Sequence, residues 1–189
     1  MSKKNNTFEL NGPNKYEECI ECKKKEICQE QNKVMMQNYI LHHCESFYNV
    51  YMLLTNIEKN YRENLFESIN NNKYFNTLFP KVVNGDLAVE YALKYLIFKE
   101  NKKFRCIHNL EQLFDDLSEE HKSNLIKIIK KNAHQNEETL RQNLKRISNV
   151  FIDFRYPFDL EAVGISNFFD DFVKSVCEYV LQFKEKVDL

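Results

Sequence analysis

The chain has 189 residues, 43% hydrophobic and 29% charged, with three Gly, three Pro and no Trp. This composition argues against disordered, collagen-like and turn-rich β architectures and favours long helices. A formal charge of −1 argues against a basic footprint spread over the whole protein, and no run of about 18 apolar residues is present to span a membrane.

Residues 1–14, MSKKNNTFELNGPN, are polar and read as a tail without the apolar segment of a secretory signal. The expected location is therefore cytoplasmic, and the six Cys are expected to be thiols or metal ligands in a reducing compartment. A long helical stretch follows from Tyr16 to Tyr61, with a bend expected at the lysines 23–25. Its apolar residues Met35, Tyr39, Leu41, Phe47, Val50, Tyr51 and Leu54 predict burial after residue 34. Residues 1–33 are read as a tail and Cys-bearing helical arm, and residues 34–189 as the bundle. Asn70, Asn71 and Asn72 read as a loop, and Pro80 as a further break.

The stretch NGDLAVEYALKYLIF, 84–98, is apolar around most of a helical circumference, with Asp86, Glu90 and Lys94 on one i, i+4 line. This pattern predicts a central helix with a narrow polar stripe. Ser118, followed by Glu119 and Glu120, reads as the N-cap of a helix running to Lys131. Asn136 reads the same way for a helix carrying Leu140, Leu144, Ile147, Phe151 and Phe154, stopped by Pro157. A last helix, 166–183, lines up Phe168, Phe169, Phe172, Val173, Val176, Val180 and Phe183. Short connections between such helices predict an all-α, four-helix up-and-down bundle with an N-terminal helical extension.

Charge is unevenly placed along the chain. Residues 122–146 hold Lys122, Lys127, Lys130, Lys131, Arg141, Lys145 and Arg146 against Glu137 and Glu138, a balance of +5. Residues 111–120 hold five acids and no base. A basic face beside an acidic one is one reading, and ordinary solvated helix surface is the other.

Two side-chain groups carry candidate chemistry. KKFRCIHNL, 102–110, sets Arg105 and His108 in a basic loop, with Asn109 or Asn101 positioned to orient the imidazole. If the helices are antiparallel neighbours, Arg155 and Tyr156 lie at the same end of the bundle. An arginine fork grips phosphate and an imidazole transfers a proton near neutral pH, so His108, Arg105 and Arg155 are the candidate catalytic or phosphate-contacting set. The plain alternative is that His108 caps or packs at a helix start and that Arg155 pairs with Asp153, Asp159 or Glu90. Glu90 and Lys94 are either cleft-facing or a satisfied intrahelical ion pair. The second group is Cys19, Cys22 and Cys28, a C-x2-C-x5-C run with His42, His43 and Cys44 downstream. Thiolates at that spacing are candidate zinc ligands. One straight helix does not aim all three at one ion, so they are either zinc ligands on a bent segment or free thiols.

LFPKVVNGDLAVEYALKYLIFKENKKFRCIHNLEQLFDDL, 78–117, resembles the HEPN family through Val83, Asn84, Ala88, Glu90, Leu93, Lys94, Leu96, His108, Asn109, Leu110 and Leu113. FIDFRYPFD, 151–159, is similar to the Arg-Tyr segment that closes the third long helix in such proteins. The resemblance spans residues 35–185. It implies a helical bundle that commonly dimerises, RNA or nucleotide binding, and a place in prokaryotic antiviral defence or a toxin–antitoxin pair. It raises interest in Glu90, which with Lys94, Asn109 and Tyr156 makes the candidate binding set, Tyr156 being held extended by Pro157 as a stacking or hydrogen-bonding surface. Ribonuclease members carry an Arg followed by His after four to six residues. None of the five arginines here meets that rule, and Arg105 stands three positions before His108. The resemblance thus implies either a component engaging RNA or a nucleotide, metal-independent if it is an enzyme, or a non-catalytic dimeric assembly module. A homodimer is the expected assembly, since the helices carry more aromatic surface than one four-helix core needs; a protein encoded in the same operon is a candidate partner, no cofactor is required, and zinc on the Cys arm is the one metal considered.

Overall fold

The computed structural model describes residues 25–63, 73–101, 107–133, 137–148 and 167–184. These residues form six helices and no strand: α1 Lys25–Glu63, α2 Lys73–Asn101, α3 Leu110–Asp115, α4 Glu119–Ala133, α5 Glu137–Ile147 and α6 Asn167–Leu181. Contacts between α1 and α2 run in opposite register, from Lys81 on Glu58, through Gly85 beside Tyr51 and Tyr91 on His43, to Tyr95 beside Gln37. Helix α6 is antiparallel to α1, with Asp170 on Tyr51 and Lys184 on Glu45, and antiparallel to α4, with Ser175 on Asn132 and Tyr179 on His121. The long helices α1, α2, α4 and α6 therefore alternate in direction, and α3 and α5 flank them. This is the up-and-down bundle expected from the periodicity.

The core is aromatic and aliphatic. Tyr51, Tyr95, Phe114, Phe169, Phe172, Leu93, Leu96 and Leu125 are almost fully buried, each such side chain contributing about 1.5–3 kcal/mol of transfer free energy. The buried face of α1 is Ile40, Cys44, Tyr48 and Tyr51, spaced i, i+4, i+8, i+11. Met35, Tyr39 and Val50, read from sequence as buried, are 61%, 56% and 42% exposed and lie on the opposite side of the helix. Helix α1 is apolar on two faces, and composition alone does not say which one meets the bundle.

Pro80 also departs from expectation, because α2 runs through it. Pro80 is exposed, and the buried run from Lys81 to Phe98 that follows packs on α1 and α6. That packing offsets the roughly 3 kcal/mol that a helical proline costs. Helix α4 begins as expected, with Ser118 Oγ accepting from the His121 N–H at 3.4 Å. Helix α5 is described only to Ile147, and Asn136, Phe151, Phe154 and Pro157 lie outside the described residues.

Candidate functional site

Glu90 lies in the middle of α2 on the stripe seen in the sequence, and its side chain is only 4% exposed. One turn on, Lys94 Nζ donates to Glu90 Oε1 at 2.6 Å. His108, in the segment leading into α3, meets the other carboxylate oxygen through Nδ1 at 2.8 Å. The carboxylate is thus shared between an ammonium and an imidazole. A carboxylate accepts hydrogen bonds and does not donate, so Nδ1 carries a hydrogen, and in the neutral ring Nε2 is the nitrogen with the lone pair. The His108 side chain is 55% exposed, so a buried anchor orients a ring that solution can reach.

The local chain explains the placement. Asn109 is the N-cap of α3, its Oδ1 accepting from Gln112 N–H at 2.9 Å, so the residue before it stays outside the helix. Leu110 and Leu113 are fully buried and pin α3 to the bundle. Leu110 N–H donates to the Ser148 carbonyl at 3.2 Å, which brings the His108 segment to the C-terminal end of α5. Lys145 and Arg146 in that last turn are exposed.

Of the residues nominated from sequence, Glu90, Lys94 and His108 form one cluster, and Asn109 caps the adjoining helix. Arg105, Arg155, Tyr156, Cys19 and Cys22 lie outside the described residues, as does the side chain of Cys28. Among the described residues no group of three His, Cys, Asp or Glu side chains is placed to hold a metal. Cys44 is buried. His42 is exposed, and His43 packs among the rings of Tyr39, Phe47 and Tyr91.

Sequence reasoning missed two polar networks. In one, Lys81 Nζ lies 2.7 Å from Glu58 Oε2 and 3.0 Å from Asp170 Oδ2, and Tyr51 Oη donates to Asp170 Oδ1 at 2.6 Å. In the other, His121 Nδ1 is 2.9 Å from Tyr179 Oη and its Nε2 is 3.4 Å from Glu100 Oε1, which also accepts from Ser118 Oγ at 2.6 Å. The partners are separated by up to 89 and 58 residues, so no local spacing announces either group.

The described residues thus form an all-α, up-and-down bundle in which an exposed, carboxylate-oriented imidazole precedes a short capped helix. The chain belongs to the HEPN domain family, whose model matches residues 59–187, more than half of the sequence. The match begins near the end of α1, although most of that helix packs against α2 as part of the same core. No curated protein and no solved structure matches the chain. Among the described residues, no helix is long and apolar enough to cross a membrane.

Proposed function

We propose that the protein is an RNA- or nucleotide-engaging component of a prokaryotic defence or toxin–antitoxin system, acting in the cytoplasm. The observation that carries this reading is the exposed His108 ring fixed by buried Glu90 beside the cationic end of α5. An oriented imidazole with a lone pair on Nε2 accepts a hydrogen bond or a proton from a ribose hydroxyl, while neighbouring cations receive the phosphate. Cleavage of RNA needs more than that, since a second group must protonate the leaving 5′ oxygen. Arg105 and Arg155 are the nominated companions, and engagement rather than turnover is the claim.

The test is expression of the wild type, His108→Ala and Glu90→Gln in cells, followed by growth, RNA integrity and RNA co-purifying with the protein. His108→Ala should lose the RNA-linked effect while its melting temperature stays within a degree or two, because the side chain is mostly exposed. Glu90→Gln should lose it in part, since an amide orients the ring less well. A His108→Ala protein with full effect would overturn the assignment.

A second reading, a dimeric assembly module, is favoured by the exposed apolar line Met35, Tyr39, Val50 and Leu53 on α1. It keeps Cys19, Cys22 and Cys28 as zinc ligands and takes a protein of the same operon as partner. It predicts a homodimer with no bound RNA and no response to His108→Ala in the same experiment.

A further inference from the structure

Helices α4 and α5 enclose a second polar feature, away from the carboxylate–imidazole pair. A cleft of about 390 Å³ opens between them, with Lys122, Lys127, Lys130 and Arg141 on its walls, Ile126 at its apolar side and Glu119 as its acid. Four cations stand against two carboxylates, Glu119 on the wall and Asp115 on Arg141, so the cleft carries a net positive charge. Its volume lies in the lower part of the range of small-molecule sites, about 300–1,000 Å³. Of the seven cations in residues 122–146, Lys122, Lys127, Lys130 and Arg141 line this cleft.

The helix dipole accounts for part of this charge. Lys130 and Lys131 stand in the last turn of α4, where cations complement the carbonyl end. The same reasoning does not reach Lys122 and Lys127, which lie further back on the helix, nor Arg141, which enters from α5. Lys122 is held by Glu119 at 3.0 Å, a carboxylate 91% exposed. Arg141 is paired with half-exposed Asp115 and lies over the Phe114 ring at 5.7 Å. Exposed pairs of this kind are worth about 0–1 kcal/mol, so an incoming phosphate displaces the carboxylates at little cost. The Phe114 ring meanwhile keeps the guanidinium in place.

The cleft also points towards the His108 cluster. Lys145 is one turn beyond Arg141 on α5 and exposed, and Arg146 follows it. Ser148, the next residue but one, accepts the Leu110 N–H two positions after His108. Arg141 and Lys145 share one face of α5 and lead from the cleft towards the end of the helix that meets the His108 segment. Along α4, Lys122 to Lys130 spans eight residues, about 12 Å of helix, a length that accommodates several phosphates of one strand rather than a single one.

We propose that the α4–α5 cleft binds the phosphodiester backbone of a single RNA strand and delivers that strand along α5 to His108. The inference rests on the RNA reading above and adds to it the surface that grips the backbone. Lysines dominate the cleft, and point-charge contacts with few base-reading groups imply binding with little sequence preference and a steep dependence on salt.

The test is fluorescence anisotropy with a labelled single-stranded RNA of mixed sequence, on the full chain at low and moderate salt. The variants are Lys127→Glu/Lys130→Glu, Arg141→Glu and His108→Ala, each checked by circular dichroism and melting temperature. The charge reversals should weaken RNA binding at least ten-fold and flatten the salt dependence at unchanged melting temperature. ATP and polyglutamate should compete far less well than unlabelled RNA. Wild-type affinity in both charge-reversed variants would overturn the cleft assignment while leaving the His108 reading intact. A response to charge reversal with none to His108→Ala would do the opposite. Absence of RNA binding by the wild type, or competition by ATP or polyglutamate as strong as by RNA, would overturn the cleft assignment by showing that its ligand is not a strand.

Discussion

At Gly85 a methyl group in place of hydrogen would lie 2.8 Å from Tyr51 Cδ2 and 3.1 Å from two atoms of the Phe169 ring. Neither ring has room to swing aside, since Tyr51 is 2% exposed with its hydroxyl on Asp170, and Phe169 is fully buried. Alanine would gain about 1 kcal/mol of helix propensity, but overpacking of this kind costs typically about 1–3 kcal/mol. Gly85→Ala should therefore lower the urea midpoint. An equal or higher midpoint would show that α1 and α6 retreat freely from α2. Nothing in NGDLAVEY marks this glycine as a contact, because spacing along one helix carries no information on what crosses it. The candidate site was legible to a greater degree. Glu90 and Lys94 follow from i, i+4 spacing, and His108 stood out beside its loop. Their convergence on one carboxylate was not legible, because it depends on where the start of α3 packs against α2.

Helices as elements were largely legible, since apolar periodicity, the Ser118 cap and the Phe-rich stripe of α6 are properties of short windows. What holds α1, α2 and α6 together at one end is a different matter. Lys81, 2% exposed, joins Glu58 of α1 to Asp170 of α6, and Tyr51 adds a hydrogen bond to the same Asp170. Three helices thus meet on one ammonium. Replacing Lys81 by Met keeps most of the length of the side chain and takes this ammonium away from buried Glu58. The expected loss lies at the lower end of the about 3–5 kcal/mol typical of a broken buried pair. The Asp170 side chain keeps 41% exposure, and water takes over part of its share. Urea denaturation of Lys81→Met and Lys81→Met/Glu58→Leu measures this. The double variant should recover much of the loss, because it removes the buried carboxylate together with the ammonium. A single variant as stable as the wild type would mean that the ammonium holds nothing together.

At the scale of the whole bundle, two phenols tie folding to alkaline pH. Burial, followed by the charge of Asp170, pushes the Tyr51 hydroxyl well above its ordinary value of 10.0. Burial, followed by Glu178, does the same for Tyr48. Both residues stand on the buried face of α1, each with its hydroxyl hydrogen-bonded to a carboxylate of α6. In the unfolded chain these phenols ionise near pH 10, whereas in the bundle they stay protonated beyond it. Their contribution is therefore complete below pH 10 and is lost as the pH rises past it, at up to about 1.4 kcal/mol per pH unit for each group. Urea midpoints should be level from pH 8 to 9 and fall steeply above 10. Tyrosinate absorbance should rise in two steps: one from accessible tyrosines, and a later one coinciding with loss of helical circular dichroism. Tyr51→Phe should lower stability at pH 8 through the lost Asp170 bond and flatten the decline above pH 10, bringing the two proteins closer as the pH rises. Every other group is common to both proteins, so the difference between the two slopes isolates Tyr51. Parallel slopes, or a complete tyrosinate signal while the helices remain intact, would show that the α1–α6 contact opens without unfolding the bundle.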